Sequence, residues 1–434
     1  MSTDPSLLRR LRGLPPVVLI LGALGGLVVA VTAAQIAIGL HSRTTLASLV
    51  RRFVEGRQEA DSWRIMGLAI EHLRSGSGTN VYDALFFEQQ VKFQYPLSSL
   101  LFVWDLSAST LVLLSQLAVL LTGWATWIVL RRSLAASGYE PPRGWIGPAA
   151  VIGLTVLFFP VIKAFALGQV QTWINALFAW VLAAWMLGRW RTSGVLLGLV
   201  LLIKPTFAPL LLWGAFRRRW AFVTAAAAVA LAGTLATVAL FGVDQTFAYV
   251  DVVRHLGMHG EAFYPNQSWN GLLHRLFENG DALQFDRHGF PPFHAGVYAG
   301  TVTAMLAMTV FALWWPTCTP GAGGAVDLAI MALTATMTSP VAWDHHYGVL
   351  LPIVALVVPP VVAARPFGRA TWPIVIVAYV ASAQTFFNMV TRVERSPWNL
   401  VQSYQFLAAG VVLVLAYRAL RVDRVMARLE CQAR

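Results

Sequence analysis

From Pro15 to Leu40 the chain runs about 26 residues without a charged side chain, longer than the roughly 20 that an α-helix needs to cross the hydrocarbon of a bilayer. Comparable runs recur to the C-terminal end. Hydrophobic residues make up 57% of the 434 and charged residues only 12%, so a water-soluble body could not cover its surface with polar side chains. The chain therefore reads as an all-α polytopic membrane protein, one membrane-embedded domain over 1–434. The Arg9, Arg10, Arg12 start precedes an apolar run too long for a signal-peptide core, and the first segment is expected to remain as a helix. Cys318 and Cys431 are too few and too far apart for a disulfide framework, and both fall in segments read as cytoplasmic; no disulfide is expected.

Apolar runs set against arginine clusters give about twelve crossings, roughly 15–40, 107–130, 146–163, 171–188, a hairpin 193–203 and 206–216, then 220–241, 297–315, 324–339, 347–364, 371–390 and 401–417. An even number puts both termini on one side. The arginines at 9, 10, 12, 131, 132, 189, 191, 217–219, 365, 369 and from 418 onward share that side, which the positive-inside rule makes cytoplasmic. The inner segments then carry a net charge of about +13 and the outer ones about −1, so the overall +12 is a topological signal. A nucleic-acid partner is not needed to explain it, and no basic, aromatic-interleaved soluble module exists. All nine histidines and all three lysines, Lys92, Lys163 and Lys204, fall in outer loops or toward the outer ends of spans. Titratable chemistry is expected on the extracytoplasmic face of a plasma membrane.

Each limb of the hairpin has about eleven residues, reaching about 16 Å, too short for a 30 Å core; a broken pair with Lys204-Pro205 facing a polar pocket is expected. Two outer segments, about 41–106 and 242–296, are longer than connectors need to be. In the first, Trp63, Met66, Ile70 and Leu73 recur at helical spacing, which predicts interfacial helices lying on the bilayer.

Four clusters could carry chemistry. Asp61 opens an amphipathic stretch, where it either caps the helix or serves as a carboxylate able to take a proton from a sugar hydroxyl; Glu59 is a weaker competitor. SPVAWDHHYG, from Ser339 to Gly348, concentrates Trp343, Asp344, His345, His346 and Tyr347 where Pro340 ends one helix. Recognition of an anionic or sugar ligand and interfacial anchoring both fit. A metal is the weakest of the three readings, since adjacent histidines on a helix point about 100° apart and no chelating spacing accompanies them. In Asn266–Asn270, amides flank Trp269, which suits sugar hydroxyls and ring faces, although a satisfied loop turn fits as well. Lys204, with Lys163 and Gln169 in another span, either snorkels to the interface or partners a phosphate.

In this order and at these spacings the pieces resemble the bacterial family 87 glycosyltransferases of the GT-C superfamily, membrane enzymes using polyprenyl-phosphate sugars. The resemblance runs over most of the chain. It rests on the outer acid with its Gly-containing break, the aromatic run ending in Tyr95-Pro96, Gly168-Gln169, Lys204-Pro205 followed by a short apolar limb and Arg217-Arg218-Arg219, Asn266-Gln267-Ser268, and SPVAWDHH. The last two point most closely to the actinobacterial α-1,2-mannosyltransferases of phosphatidylinositol mannoside synthesis. The resemblance implies a GT-C-like fold with about 12 transmembrane helices and outer interfacial helices. It implies inverting transfer of mannose from polyprenyl-phosphate-mannose to a mannosylated lipid, with the lipid-linked donor as co-substrate and no cofactor. Asp61 would be the general base, and His345, His346 and Lys204 would face the donor phosphate. Asn266, Gln267, Trp269, Trp343, Asp344, Tyr95 and Gln169 would bind substrate. An arabinofuranosyltransferase using a decaprenyl-phosphate donor would share the scaffold. A lipid-linked-sugar transporter or flippase would instead spread charge across the midplane and show pseudo-symmetric halves, which the outer-face bias of His and Lys disfavours.

Overall fold

The computed structural model describes residues 16–422 except 41, 320 and 395; Arg9, Arg10, Arg12, His41 and Cys431 lie outside the described residues. Among the described residues regular structure is helical, and the one β-type pairing is an isolated antiparallel bridge between Asn266 and Trp343. In chain order the helices are α1 (Pro16–Ala37), α2 (Leu46–Val54), α3 (Asp61–Ser75), α4 (Ala108–Ala136), α5 (Ile146–Val156), α6 (Phe159–Leu167), α7 (Gln171–Met186), α8 (Trp190–Ile203), α9 (Pro209–Phe216) and α10 (Trp220–Phe241). After them come α11 (Tyr249–His259), α12 (Trp269–Leu276), α13 (Ala295–Trp314), α14 (Ala325–Met337), α15 (Leu350–Ala364), α16 (Thr371–Ala383) and α17 (Tyr404–Ala419). Single turns and 3₁₀ segments, including Asp344–Val349, join them.

Among the described residues six helices are long and apolar enough to cross a bilayer, or up to eight if two bent pairs each count as one span. The count of twelve read from the sequence is not confirmed by these lengths. Several of the apolar runs behind it are interrupted, which hydropathy alone does not register. The run from 146 breaks at Phe158, whose backbone is extended; Pro160, in the first turn of α6, has no N–H to continue the preceding helix, and α5 and α6 meet at 61°. The run from 371 is likewise broken, with a 92° bend. The segments 190–203, 205–216 and 325–338 are apolar but shorter than 18 residues.

The broken hairpin follows the expectation at Lys204, an extended residue that ends α8 before Pro205. Its packing has a sequence cause. Gly194 and Gly198 sit one turn apart on α8, and a Cβ on either would run into the backbone of α10 at Phe222 or Ala226. This small-xxx-small surface lets the two helices approach closely, as apolar helices without a water-driven seam require. At the arginine-rich end, Arg217 Nε lies 2.6 Å from Oδ2 of the fully buried Asp327, which also accepts from the Gly323 amide at 2.6 Å. On the opposite, outward sides, Leu231, Leu235 and Leu240 of α10 and Leu306, Val310 and Trp314 of α13 stand exposed, a surface that only lipid would satisfy.

The first long outer segment departs from the reading of a bilayer-facing stripe. Trp63, Met66 and Ile70 are buried in the protein core, with Trp63 against Trp173 of α7 at a ring separation of 5.0 Å. The helical period was legible in the sequence; the partner it faces was not. Because α2 also docks on α6, with Phe53 edge-on to Phe165 at 5.2 Å, the start of α3 is pinned to the end of α6. That pinning builds the site.

Candidate active site

α6 ends at Gly168, which turns with φ +67° so that the chain can double back to α7. A Cβ there would run into the carbonyl oxygen of Glu59, so only glycine permits this approach. Across the contact the Glu59 amide donates to Ala166 O at 2.8 Å and the Ser62 amide to Gly168 O at 3.2 Å. Two segments about a hundred residues apart in the chain are thereby joined through backbone, and Asp61 lies between the two joints.

The geometry separates the two readings of Asp61. The N-cap position belongs to Ala60, and the Asp61 carboxylate is not used to cap α3. Instead its Oδ2 accepts from Gln169 Nε2. Asp61 itself is exposed, whereas Ser62 and Gln169 beside it are buried. Tyr95 joins the same group, with its hydroxyl 2.8 Å from Ser62 Oγ and 3.2 Å from Gln169 Oε1. Glu59, the competing acid, is engaged by Arg52 at 2.7 Å. A carboxylate with one oxygen held by an amide and the other open to the outside can accept a proton from a bound hydroxyl.

The second cluster forms where the 3₁₀ segment from Asp344 to Val349 packs on α6 and α7. Lys163 Nζ is 2.5 Å from Asp344 Oδ2, and His345 Nδ1 is 3.3 Å from Asp344 Oδ1. Lys204 Nζ is 2.8 Å from His346 Nε2, while His346 Nδ1 accepts from the Trp343 amide at 3.1 Å. Two of the chain's three lysines thus share a buried corner with two histidines and a single carboxylate, and His345 Nε2 is buried there without a partner among the described residues. The two imidazoles stand nearly perpendicular, 82° between planes, and reach different partners. A corner in which Lys204 has no carboxylate partner among the described residues and His345 keeps a free ring nitrogen suits an anionic ligand oxygen.

Lys163 and Gln169 belong to α6 and its terminal turn, so about 9 Å of helix axis connects the corner to the residue holding Asp61. Of the residues singled out in the sequence, Asp61, Tyr95 and Gln169 assemble in one group and Asp344, His345, His346 and Lys204 in another. Asp344 is bound up with Lys163 rather than offered to a sugar. The partly exposed Trp343 packs edge-on to Phe285 at 5.7 Å.

Asn266 and Gln267 have a different use from the one expected. Both are fully buried. Asn266 Nδ2 donates to the carbonyls of Glu261 at 2.8 Å and Pro340 at 3.0 Å, and its Oδ1 accepts from the Ala342 amide and Ser268 Oγ, each at 2.9 Å. Gln267 Nε2 donates to the carbonyls of Tyr264 and Gln402, both at 2.8 Å, and its Oε1 accepts from the Phe406 amide at 3.1 Å. With donors and acceptors filled by protein, these amides weld the second outer loop to the 340–344 turn and to α17 and leave no group for a sugar. Trp269 is held likewise, its Nε1 2.8 Å from Met308 Sδ and its ring edge-on to Phe406. The loop-turn alternative describes them.

Three partners were not legible as such. Ser62 is an ordinary residue in sequence and matters because its hydroxyl meets Gln169. Lys163 was noticed for its rarity, but nothing local names Asp344, 181 residues away, as its partner. Lys92 pairs with Glu261 at 2.7 Å, both buried, and lies over the rings of Phe285 and Phe290 at 4.4 and 4.3 Å. Scarcity of lysine was the available signal for each pair.

The sequence profile of Glycosyltransferase family 87 matches residues 93–340, more than half of the chain. The match includes Tyr95, Lys163, Gln169 and Lys204 and leaves Asp61 and the Asp344–His346 turn outside its bounds. A polyprenol-phosphate-mannose-dependent alpha-(1-2)-phosphatidylinositol mannoside mannosyltransferase of Mycolicibacterium smegmatis is 28% identical over 333 residues, 73% of this chain and 69% of that protein. A phosphatidylinositol pentamannoside mannosyltransferase of the same organism, likewise named polyprenol-phosphate-mannose-dependent, is 33% identical over 204 residues, 45% of this chain. That alignment spans 44% of the relative's length. Its counterpart in Mycobacterium tuberculosis is 23% identical over 329 residues, 75% of this chain and 71% of that protein. No solved structure matches the chain.

Proposed function

The chain belongs to glycosyltransferase family 87, and on that premise we propose that it transfers mannose from polyprenyl-phosphate-mannose to a hydroxyl of a phosphatidylinositol mannoside-like lipid, forming an α-1,2 linkage with inversion. The observation that carries the reading is the pairing of an amide-held Asp61, which does not cap its helix, with a buried corner of lysine and histidine side chains along α6. The two halves of the site match the two demands of the reaction. The acceptor hydroxyl loses its proton as its oxygen bonds to the anomeric carbon, and Asp61 takes that proton. The bond from the anomeric carbon to the phosphate oxygen breaks, and the departing polyprenyl phosphate monoester gains negative charge and needs no proton. Lys204, His345 and His346 face that charge, with Lys163 and Asp344 holding the turn that presents the histidines. Tyr95 and Gln169 serve the base, and Trp343 borders the corner.

The names of the relatives support the donor, the acceptor class and the linkage. The arginine asymmetry supports a multi-pass plasma-membrane protein with both termini cytoplasmic and the site extracytoplasmic. The test is an assay of the purified full chain in lipid with polyprenyl-phosphate-mannose, a decaprenyl-phosphate-arabinose control and phosphatidylinositol mannosides of graded length, read by mass spectrometry. A gain of one hexose from the mannose donor is expected. A pentose gain alone would replace the donor assignment, and no gain with any acceptor would overturn the reading.

A further inference from the structure

The hydrogen bonds around Gln169 leave its amide oxygen one role. Ser62 Oγ accepts the backbone N–H of Val170 at 3.1 Å and lies 2.7 Å from Gln169 Oε1, while the Tyr95 hydroxyl lies 2.8 Å from Ser62 Oγ and 3.2 Å from Gln169 Oε1. Whichever hydroxyl donates across the Ser62–Tyr95 contact, the other is left to give its proton to Gln169 Oε1. Tyr95 is itself fixed from its other side, where the Tyr82 hydroxyl donates to the Tyr95 carbonyl at 2.9 Å. The amide oxygen of Gln169 is therefore committed as an acceptor to the interior, and its NH₂ can face only outward, toward Asp61 Oδ2. Among the described residues Asp61 Oδ1 makes no hydrogen bond with the protein.

We propose that Gln169 is a positioning residue for the base: through Ser62 and Tyr95 its amide is locked in one orientation, binds one carboxylate oxygen of Asp61, and so aims the other at the acceptor hydroxyl. An amide is suited to this where a cation or an acid is not. A lysine would tie up the carboxylate and weaken it as a base, whereas a carboxylate would share its proton. Glu59 is engaged by Arg52 and Lys163 by Asp344, Arg64 stands exposed one turn further along α3, and the phenol of Tyr95 remains protonated because burial raises its pKa. The inference rests on Asp61 acting as the base, and the experiment keeps the two claims apart.

The kcat–pH profile is measured on the purified full chain in lipid for wild type, Gln169→Met, Gln169→Glu, Ser62→Ala and Asp61→Asn, with the thermal midpoint of each variant. Gln169→Met keeps length and removes the donor. It should lower kcat about 10- to 100-fold with little change in donor KM, because a base turned off line loses the reacting geometry. Its acidic limb should move up by about one pH unit, since a hydrogen bond favouring the carboxylate is gone. Gln169→Glu should move the limb further in the same direction. Ser62→Ala frees the amide without removing it and should give a smaller shift of the same sign, which also serves if Gln169→Met is unstable. Wild-type kcat and an unmoved acidic limb in the Gln169 variants, or an unmoved limb in Ser62→Ala should those variants not fold, would overturn the positioning role while Asp61→Asn stays inactive. An active Asp61→Asn is a different result, removing the base itself.

Discussion

Lys204 Nζ lies 2.8 Å from Nε2 of His346, so a lysine that ends α8 and a histidine 142 residues further along the chain occupy one corner with no carboxylate between them. The lysine and the imidazole hydrogen-bond to each other, and among the described residues neither has a carboxylate partner. Charge-assisted bonds from this pair strengthen as the leaving phosphate gains charge, so the interaction is worth more in the transition state than with bound donor. Lys204→Met and His346→Ala should each lower kcat at saturating donor by more than they weaken donor binding. A lysine that only snorkels predicts normal turnover with a slightly lower thermal midpoint. Unchanged kcat in both variants would move the phosphate elsewhere.

That alternative location is narrowed by Arg275, an outer-loop arginine that could have taken the role. Its guanidinium is buried against Ser403 Oγ at 2.8 Å and the Asn266 carbonyl at 3.1 Å, and burial pushes it down to about 9. It holds the loop weld, and Arg275→Met should cost stability rather than shift the balance of kcat and KM.

Lys92 and Glu261 offer a stability test away from the chemistry. Their buried pair at 2.7 Å sits between two phenylalanine rings, and burial raises the Glu261 pKa against the opposing pull of Lys92. Lys92→Met leaves a carboxylate buried without its cation and should destabilise the protein by about 3–5 kcal/mol at neutral pH. The double variant Lys92→Met with Glu261→Gln should recover most of that loss, since an isolated charge, not the missing pair, is the penalty. Equal loss in the single and double variants would contradict this.

His255 sets a pH dependence. Burial, and secondarily the neighbouring His259 stacked at 4.4 Å, hold its pKa below the ordinary 6.5, with Phe86, Phe87 and Phe290 packed around it. The folded value being the lower one, the unfolded chain takes the proton first as pH falls. The contribution is complete above 6.5 and is lost as pH drops from there through the folded value. Between about pH 7.5 and about pH 5, wild type should lose more thermal stability than His255→Phe does. A variant that loses as much as wild type would contradict the assignment.

The sequence made the class of fold legible because apolar run length is a direct physical requirement of the bilayer, and it made Asp61, Lys204 and the two histidines legible because ionisable residues beside such runs are rare and costly. Helix breaks were less legible. The break at Phe158 goes with one proline two residues on, which cannot donate a backbone bond to the preceding turn, within a run whose hydropathy is uninterrupted. Asn266 and Gln267 misled for a related reason: an amide able to satisfy a sugar is equally able to satisfy three backbone groups, and only the arrival of Pro340, Ala342 and Phe406 from elsewhere in the chain decides between them. The capping of α3 was a local question with a non-local answer, since Gln169 reaches Asp61 across 108 residues.

The central claim is that Asp61 accepts the proton of the acceptor hydroxyl. Asp61→Asn keeps the side chain's size and its ability to meet Gln169 but cannot take a proton. In the lipid-reconstituted enzyme its kcat should fall by about 10²–10⁴-fold while the donor Kd stays within about twofold of wild type. A kcat for Asp61→Asn close to that of wild type would contradict the account and move the base to another residue.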